Sequence, residues 1–166
     1  MRAIFHTDRE WGIGKKNDLM FSLPKDMKFF RETTKGKVVV MGLNTLKSFP
    51  NGKPLKNRIN IVLSPDKVDE DVITVHNLDE LFEELKKYPA DDVFVIGGAS
   101  VYKTLIPYCT EVLVTKVDAT GGAEVFVPNL DEDENFRLVS ESEAEEDNGY
   151  TIRFCTYRNL SPKEVL

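Results

Sequence analysis

Asp26 is a lone carboxylate in an apolar setting: the run Ser22-Leu23-Pro24-Lys25-Asp26-Met27-Lys28-Phe29-Phe30 surrounds it with Met27, Phe29 and Phe30. Pro24 suits the first turn of a helix, where its missing N–H has no intrahelical partner to lose. Asp26 then falls in the same turn, near the positive end of the helix dipole. Two chemistries suit such an acid: it caps the helix, or it anchors a polar ligand in an apolar cleft. Helical spacing puts Asp26, Met27 and Phe30 on one side, and carboxylates are rarely buried unless paired. Just upstream, Trp11-Gly12-Ile13-Gly14 sets two glycines in a loop.

A second pattern is Val93-Phe94-Val95-Ile96-Gly97-Gly98-Ala99-Ser100-Val101-Tyr102, an apolar run leading into two glycines and then a helical segment. Free N–H groups at such a turn point the same way as the helix dipole, which suits a phosphate. The pattern is neither a GxGxxG fingerprint nor a Walker loop, and a tight turn alone accounts for a glycine pair. Met41-Gly42-Leu43-Asn44-Thr45 repeats the arrangement more weakly. Two such turns at the carboxyl ends of neighbouring parallel strands are where α/β proteins bind dinucleotides.

Arg58 precedes the apolar run 59–63. It reads as a solvated loop cation or as a bidentate clamp for a ligand carboxylate, and the sequence alone favours the former. His6 and His76 form no dyad or metal cluster in the sequence, so no metal site is expected. The absence of a Ser-His-Asp or Cys-His arrangement argues against covalent hydrolysis. The acidic runs 131–134 and 141–147 read as solvated surface. Cys109 and Cys155 lack metal-like spacing and read as reduced packing residues of a cytoplasmic protein.

The elements that must carry these groups follow from hydrophobic pattern. Strand-like runs cover 3–6, 37–41, 59–63, 72–75, 92–96, 111–117, 136–141 and 150–157. The runs at 38–41, 59–63 and 93–96 are almost continuously apolar, as in parallel strands covered on both faces. Leu78, Leu81, Phe82 and Leu85 follow helical spacing, with Asn77 as a cap. Alternation of strand and helix implies βαβ units, while Asp147-Asn148-Gly149 reads as a hairpin turn joining an antiparallel C-terminal pair. The expected fold class is α/β, one mixed sheet with helices on both sides, in a single domain over 1–166. A chain of 166 residues, 41% hydrophobic and 30% charged with a net charge of −6, has room for one ordinary core and no basic stripe for nucleic acid. No apolar run reaches membrane-spanning length, and the N-terminus turns polar too early for a signal peptide.

These pieces, in this order, resemble the dihydrofolate reductase family across nearly the whole chain. The carrying residues are Gly12-Ile13-Gly14, Leu23-Pro24-Lys25-Asp26-Met27 with Phe30, Val40-Met41-Gly42 with Thr45 and Ser48, and Pro54-Leu55 with Arg58. Asn60-Ile61-Val62-Leu63-Ser64, Ile96-Gly97-Gly98 with Val101-Tyr102, and Phe126-Val127-Pro128 complete the series. The resemblance implies a mainly parallel eight-stranded sheet with four helices, and NADPH-dependent reduction of 7,8-dihydrofolate. It implies that Asp26 holds the pterin ring through N3 and the 2-amino group, supported by Thr115, with Phe21 beside them. Arg58 would take the carboxylate of the glutamate tail, and Ile4, Phe5, Met27, Phe30, Phe49, Leu55 and Ile96 would line the pocket. Cofactor contacts would come from His6, Ile13, Gly14, Asn17 and Leu19, from Gly42, Leu43, Asn44 and Thr45, and from Leu63, Ser64 and Pro65. Ile96, Gly97, Gly98, Ala99, Ser100, Val101 and Tyr102 would complete that surface. The loop from about Trp11 to Phe21 would close over the nicotinamide.

Some positions depart from the family pattern. Phe21 stands where the family usually has tryptophan, and Phe5 and His6 stand where small residues are common. Leu43, Pro65 and Ser100 are neutral where partners of the adenosine 2′-phosphate are often basic. A weaker than usual preference for NADPH over NADH is therefore expected, unless Lys67 or another lysine supplies the charge. Other readings are a reductase of the same fold acting on a different heterocycle, such as the pyrimidine reductase of riboflavin synthesis, and a non-catalytic folate or nucleotide binder. A monomer that binds dihydrofolate and antifolates, with no membrane or nucleic-acid partner, is the default expectation.

Overall fold

The computed structural model describes residues 1–15, 20–68 and 71–165. In chain order the elements are β1 (Arg2–Thr7), β2 (Gly12–Gly14), α1 (Pro24–Thr34), β3 (Val38–Gly42), α2 (Leu43–Ser48), β4 (Ile59–Leu63), β5 (Ile73–Val75) and α3 (Leu78–Leu85). They continue with β6 (Val93–Gly97), α4 (Ala99–Leu105), β7 (Glu111–Val117), β8 (Val125–Phe126), β9 (Phe136–Glu141), β10 (Glu145–Asp147) and β11 (Tyr150–Asn159).

The main sheet runs β10-β11-β7-β1-β6-β3-β4-β5, with β9 also on β11. From β7 to β5 neighbouring strands are parallel, and β11 is antiparallel to β7. β9 and β10 follow one another along the same edge of β11, the first opposite 155–159 and the second opposite 150–152. The sheet is thus eight positions wide and mainly parallel, as expected. Each of the eight apolar runs forms a strand, with ends shifted by a residue or two. The short β2, β8 and β10 were not expected, and β2 pairs with β8 in a separate ribbon.

The central strands owe their runs of valine and isoleucine to burial on both faces: Val39, Val40, Met41, Ile61, Val62, Phe94 and Val95 are all 0% exposed. Burial of each such large side chain contributes about 1.5–3 kcal/mol. α3 turns Leu81, Phe82 and Leu85 inward, and Asn77 Oδ1 accepts from Glu80 N at 2.9 Å, the cap expected from the sequence. Asn148 and Gly149 have φ of 52° and 85°, the paired positive values of a two-residue hairpin turn. Both cysteines are free and buried. Among the described residues no helix is long and apolar enough to cross a membrane.

Candidate active site

Two neighbouring strands build the seat for Asp26. β1 and β7 are parallel with His6 directly opposite Thr115, and β11 places Phe154 opposite Thr115 on the other side. Residues paired in this way project from one face of the sheet. α1 lies over that face, with the Phe29 ring tilted against that of Phe154, centroids 4.8 Å apart. One turn earlier on the helix, Asp26 reaches down to the strands. Thr115 Oγ1 donates to Asp26 Oδ1 at 2.6 Å, and His6 Nδ1 lies 3.1 Å from Oδ2. The Asp26 side chain is 13% exposed and that of His6 5%. The 2.6 Å contact has the length of a charge-assisted hydroxyl–carboxylate bond.

The cap-or-anchor alternative for Asp26 is resolved by a second acid. Asp147, at the end of β10, accepts from Lys25 N at 3.1 Å and from Asp26 N at 3.0 Å, and is 2% exposed. It satisfies two N–H groups of the first turn of α1 that have no intrahelical acceptor. Asn148 Nδ2 adds a bond to Ser22 O at 2.9 Å, so the hairpin turn pins the start of the helix. The reading of 141–147 as solvated surface therefore fails at Asp147, whose buried side chain is the helix cap. The expectation that His6 forms no dyad fails as well, since Asp26 is its partner. The signal for His6 was its place in step with Ile4 on a strand otherwise buried. That for Asp147 was hidden in a run of acids.

Arg58 is fixed rather than free. Its Nε donates to Thr34 Oγ1 at 3.2 Å, Nη1 to Lys56 O at 2.7 Å and Nη2 to Arg31 O at 2.9 Å, holding the C-terminal turn of α1. Burial pushes its guanidinium below the ordinary arginine value, with Arg31 adding to the effect. Three of five N–H donors are engaged, which leaves two for a ligand.

Of the apolar residues expected around a ligand, Phe49, Leu55 and Ile96 pack together, partly buried, against one cluster of Val39, Met41, Leu46 and Val62. Met27 is 49% exposed on α1. Phe5 differs: it points to the opposite face from Ile4 and His6, into the main core beside Tyr102, so only its backbone faces the Asp26 side. Tyr102 in turn donates to Ile4 O at 2.8 Å, and its phenol is held above the ordinary value by burial and by the charge of Asp26. Phe21 sits in a small core cluster with Leu23, Val117 and Ile152, its ring 6.1 Å from that of His6.

The two glycine turns meet. Met41 pairs with Gly97 across β3 and β6. A Cβ at Gly97 would stand 3.2 Å from Thr45 Oγ1, and one at Gly42 would stand 3.2 Å from Val101 Cγ2. Gly97 also has a φ of 128°, a value that L side chains rarely adopt. Beside these turns lies a groove of about 360 Å³ lined by Leu43, Lys47, Ser64, Asp66 and Lys67 among others. Asn44, Pro65 and Ser100 are exposed, Ala99 is half-buried, and Ile13 and Gly14 lie on β2. Asn17 and Leu19 fall outside the described residues.

Thr115, His6, Gly97, Gly42 and Leu63 stand at or near the carboxyl ends of five successive parallel strands, β7, β1, β6, β3 and β4. This is the edge at which α/β sheets bind their ligands. Fold and site define an α/β protein with a nearly buried carboxylate and two glycine turns along this edge. Comparison with known proteins makes this specific. The family model described as dihydrofolate reductase matches residues 1–159. A dihydrofolate reductase of Bacillus subtilis is 35% identical over 166 residues, spanning 98% of this chain and 96% of its own length. One from Enterococcus faecium is 33% identical over 165 residues, spanning 96% of each. A solved dihydrofolate reductase from Enterococcus faecalis, complexed with NADP(H) and RAB-propyl, superposes with a TM-score of 0.83 at 33% identity over 95% of both chains. The chain belongs to the dihydrofolate reductase family.

Proposed function

We propose that the chain reduces 7,8-dihydrofolate to 5,6,7,8-tetrahydrofolate with NADPH, working as a one-domain monomer over 1–166 in the cytoplasm. The observation that carries this reading is the Asp26 carboxylate, 13% exposed and held from below by Thr115 and His6. An ionised carboxylate offers roughly four acceptor positions. Those that Thr115 and His6 leave suit the paired N3–H and 2-amino donors of a pterin. Antifolate heterocycles with the same donor pair compete for them.

Ile4, Met27, Phe30, Phe49, Leu55 and Ile96 enclose the rings and exclude water, and the two uncommitted N–H groups of Arg58 receive the carboxylate of the tail. The Gly42 and Gly97-Gly98 turns, where a Cβ would crowd Val101 or Thr45, fit close approach of cofactor phosphates. When bound, the reduced nicotinamide supplies the hydride for C6 of the pterin. The chain itself then has to favour positive charge near N5, which Asp26 does electrostatically while water delivers the proton. A net charge of −6 argues against a nucleic-acid partner.

The test follows nicotinamide absorbance in a mixture of protein, dihydrofolate and NADPH. Oxidation that requires dihydrofolate is expected, falling by about a hundredfold or more in Asp26→Asn at neutral pH. No dihydrofolate-dependent oxidation by the wild type refutes the reading, and oxidation unchanged in Asp26→Asn refutes the role of the carboxylate.

A further inference from the structure

Asp26 has an internal partner that takes no chemical step in the reaction above. His6 Nδ1 lies 3.1 Å from Asp26 Oδ2, the imidazole is 5% exposed, and its Nε2 is buried without a hydrogen-bond partner. An ionised carboxylate only accepts hydrogen bonds, so the ring proton facing it sits on Nδ1. In the neutral ring the lone pair is then on the unpartnered Nε2. Thr115 holds Oδ1 and His6 holds Oδ2, one donor on each oxygen from two adjacent strands in register.

Other cations are engaged elsewhere. Lys25 bonds to Glu146 O and faces Glu145, while Lys116 pairs with Asp131. The further titratable groups packed nearby are Asp147, which contacts the Asp26 backbone N–H, and Tyr102, which is bonded to Ile4 O. Among the described residues, His6 is therefore the group that presents an N–H to the carboxylate from the side opposite a ligand.

We propose that His6 is a positioning residue: it locks the plane of the Asp26 carboxylate so that both oxygens present their remaining lone pairs to a heterocycle carrying two adjacent N–H donors. This rests on the functional reading above and deepens it. It also assigns His6 to the substrate side rather than to the cofactor.

The test pairs His6→Leu, which fills similar space without a donor, with His6→Asn, which keeps an N–H near the Nδ1 position. In His6→Leu the KM for dihydrofolate is expected to rise about tenfold, the scale of a lost bond to a charged group. Its kcat falls less, and the Kd for NADPH, read by nicotinamide fluorescence, stays level. His6→Asn is expected to recover most of the KM. A His6→Leu KM within about twofold of wild type, or a His6→Asn as impaired as His6→Leu, overturns the assignment. An inactive wild type defeats the functional reading instead, so the two failures are distinct. Should His6→Leu not fold, NMR of the wild-type imidazole nitrogens decides: a protonated Nδ1 supports the proposal, and a bare Nδ1 with the proton on Nε2 overturns it.

Discussion

Replacing Asp147 by alanine tests whether the β10–β11 hairpin, rather than the helix itself, secures the start of α1. The carboxylate accepts two backbone N–H bonds, at 3.1 and 3.0 Å, and is 2% exposed. Loss of a helix cap alone costs about 0.5–2 kcal/mol. Hydrogen bonds to a charged acceptor lie at the upper end of the usual range, and here two donors are left without their acceptor. Asp147→Ala is accordingly expected to destabilise the fold by about 2–3 kcal/mol. For a chain of this size that corresponds to a fall in Tm of about 5–10 °C. Asp147 is also a negative charge close to Asp26, and repulsion between the two acids opposes the capping gain. Asp147→Asn removes the charge and keeps one of the two acceptor oxygens, because Lys25 N bonds to Oδ1 and Asp26 N to Oδ2. If capping wins, the order of stability by urea unfolding is Asp, then Asn, then Ala. An Asn variant more stable than wild type, or an Ala variant melting within about 1 °C of it, refutes the argument.

Kinetics with NADPH and NADH side by side are expected to show a preference below several hundredfold. Lys47 and Lys67 line the groove beside the Gly42 turn, but Asp66 opposes them and Leu43 adds no charge. Lys67→Met should narrow the preference further, and a preference of several hundredfold in the wild type sinks this expectation. Alkaline stability gives another check, since burial raises the phenols of Tyr102 and Tyr157 above their ordinary value of 10.0. An acid raised on folding contributes stability in full below its unfolded value and loses it as pH climbs towards the folded one. Stability should therefore fall above pH 10.0, with phenolate absorbance from these two residues appearing only as the circular dichroism of the fold is lost. Their titration in the folded protein contradicts this.

The strands that were legible in the sequence are those whose pattern is set locally. β3, β4 and β6 sit between two covered faces, so nearly every position is apolar, Asn60 apart, and the run announces itself. β2, β8 and β10 are two or three residues long, and their existence depends on partners far along the chain. The same division holds within the site. Asp26 and the glycine turns stood out because helix start, strand end and apolar neighbours are adjacent in sequence. The His6–Thr115 pairing is a matter of register between strands more than a hundred residues apart. The alternation with Ile4 marks His6 as facing inward, but nothing near it in the chain names its partners. Asp147 sits among exposed acids and differs from them only in being packed under a helix that begins at Pro24.

α1 acquires a further role once its two ends are considered together. Asp147 fixes the first turn from the hairpin, and Arg58 fixes the last turn through Arg31 O and Thr34 Oγ1. The helix is thus clamped at both ends by groups from other elements. Between the clamps it carries Asp26 in its first turn and borders Arg58 at its last. With a rise of about 1.5 Å per residue, positions 26 and 31–34 are separated by about 8–12 Å along the axis. A ligand that answers both charges needs hydrogen-bond donors at one end and a carboxylate at the other, with an apolar span between. Asp147 and Arg58 therefore hold both ends of the helix whose length sets that spacing. The capping task that a first-turn acid invites has been taken over by Asp147, which leaves the Asp26 side chain uncommitted to its own helix and suits it to the ligand role proposed above.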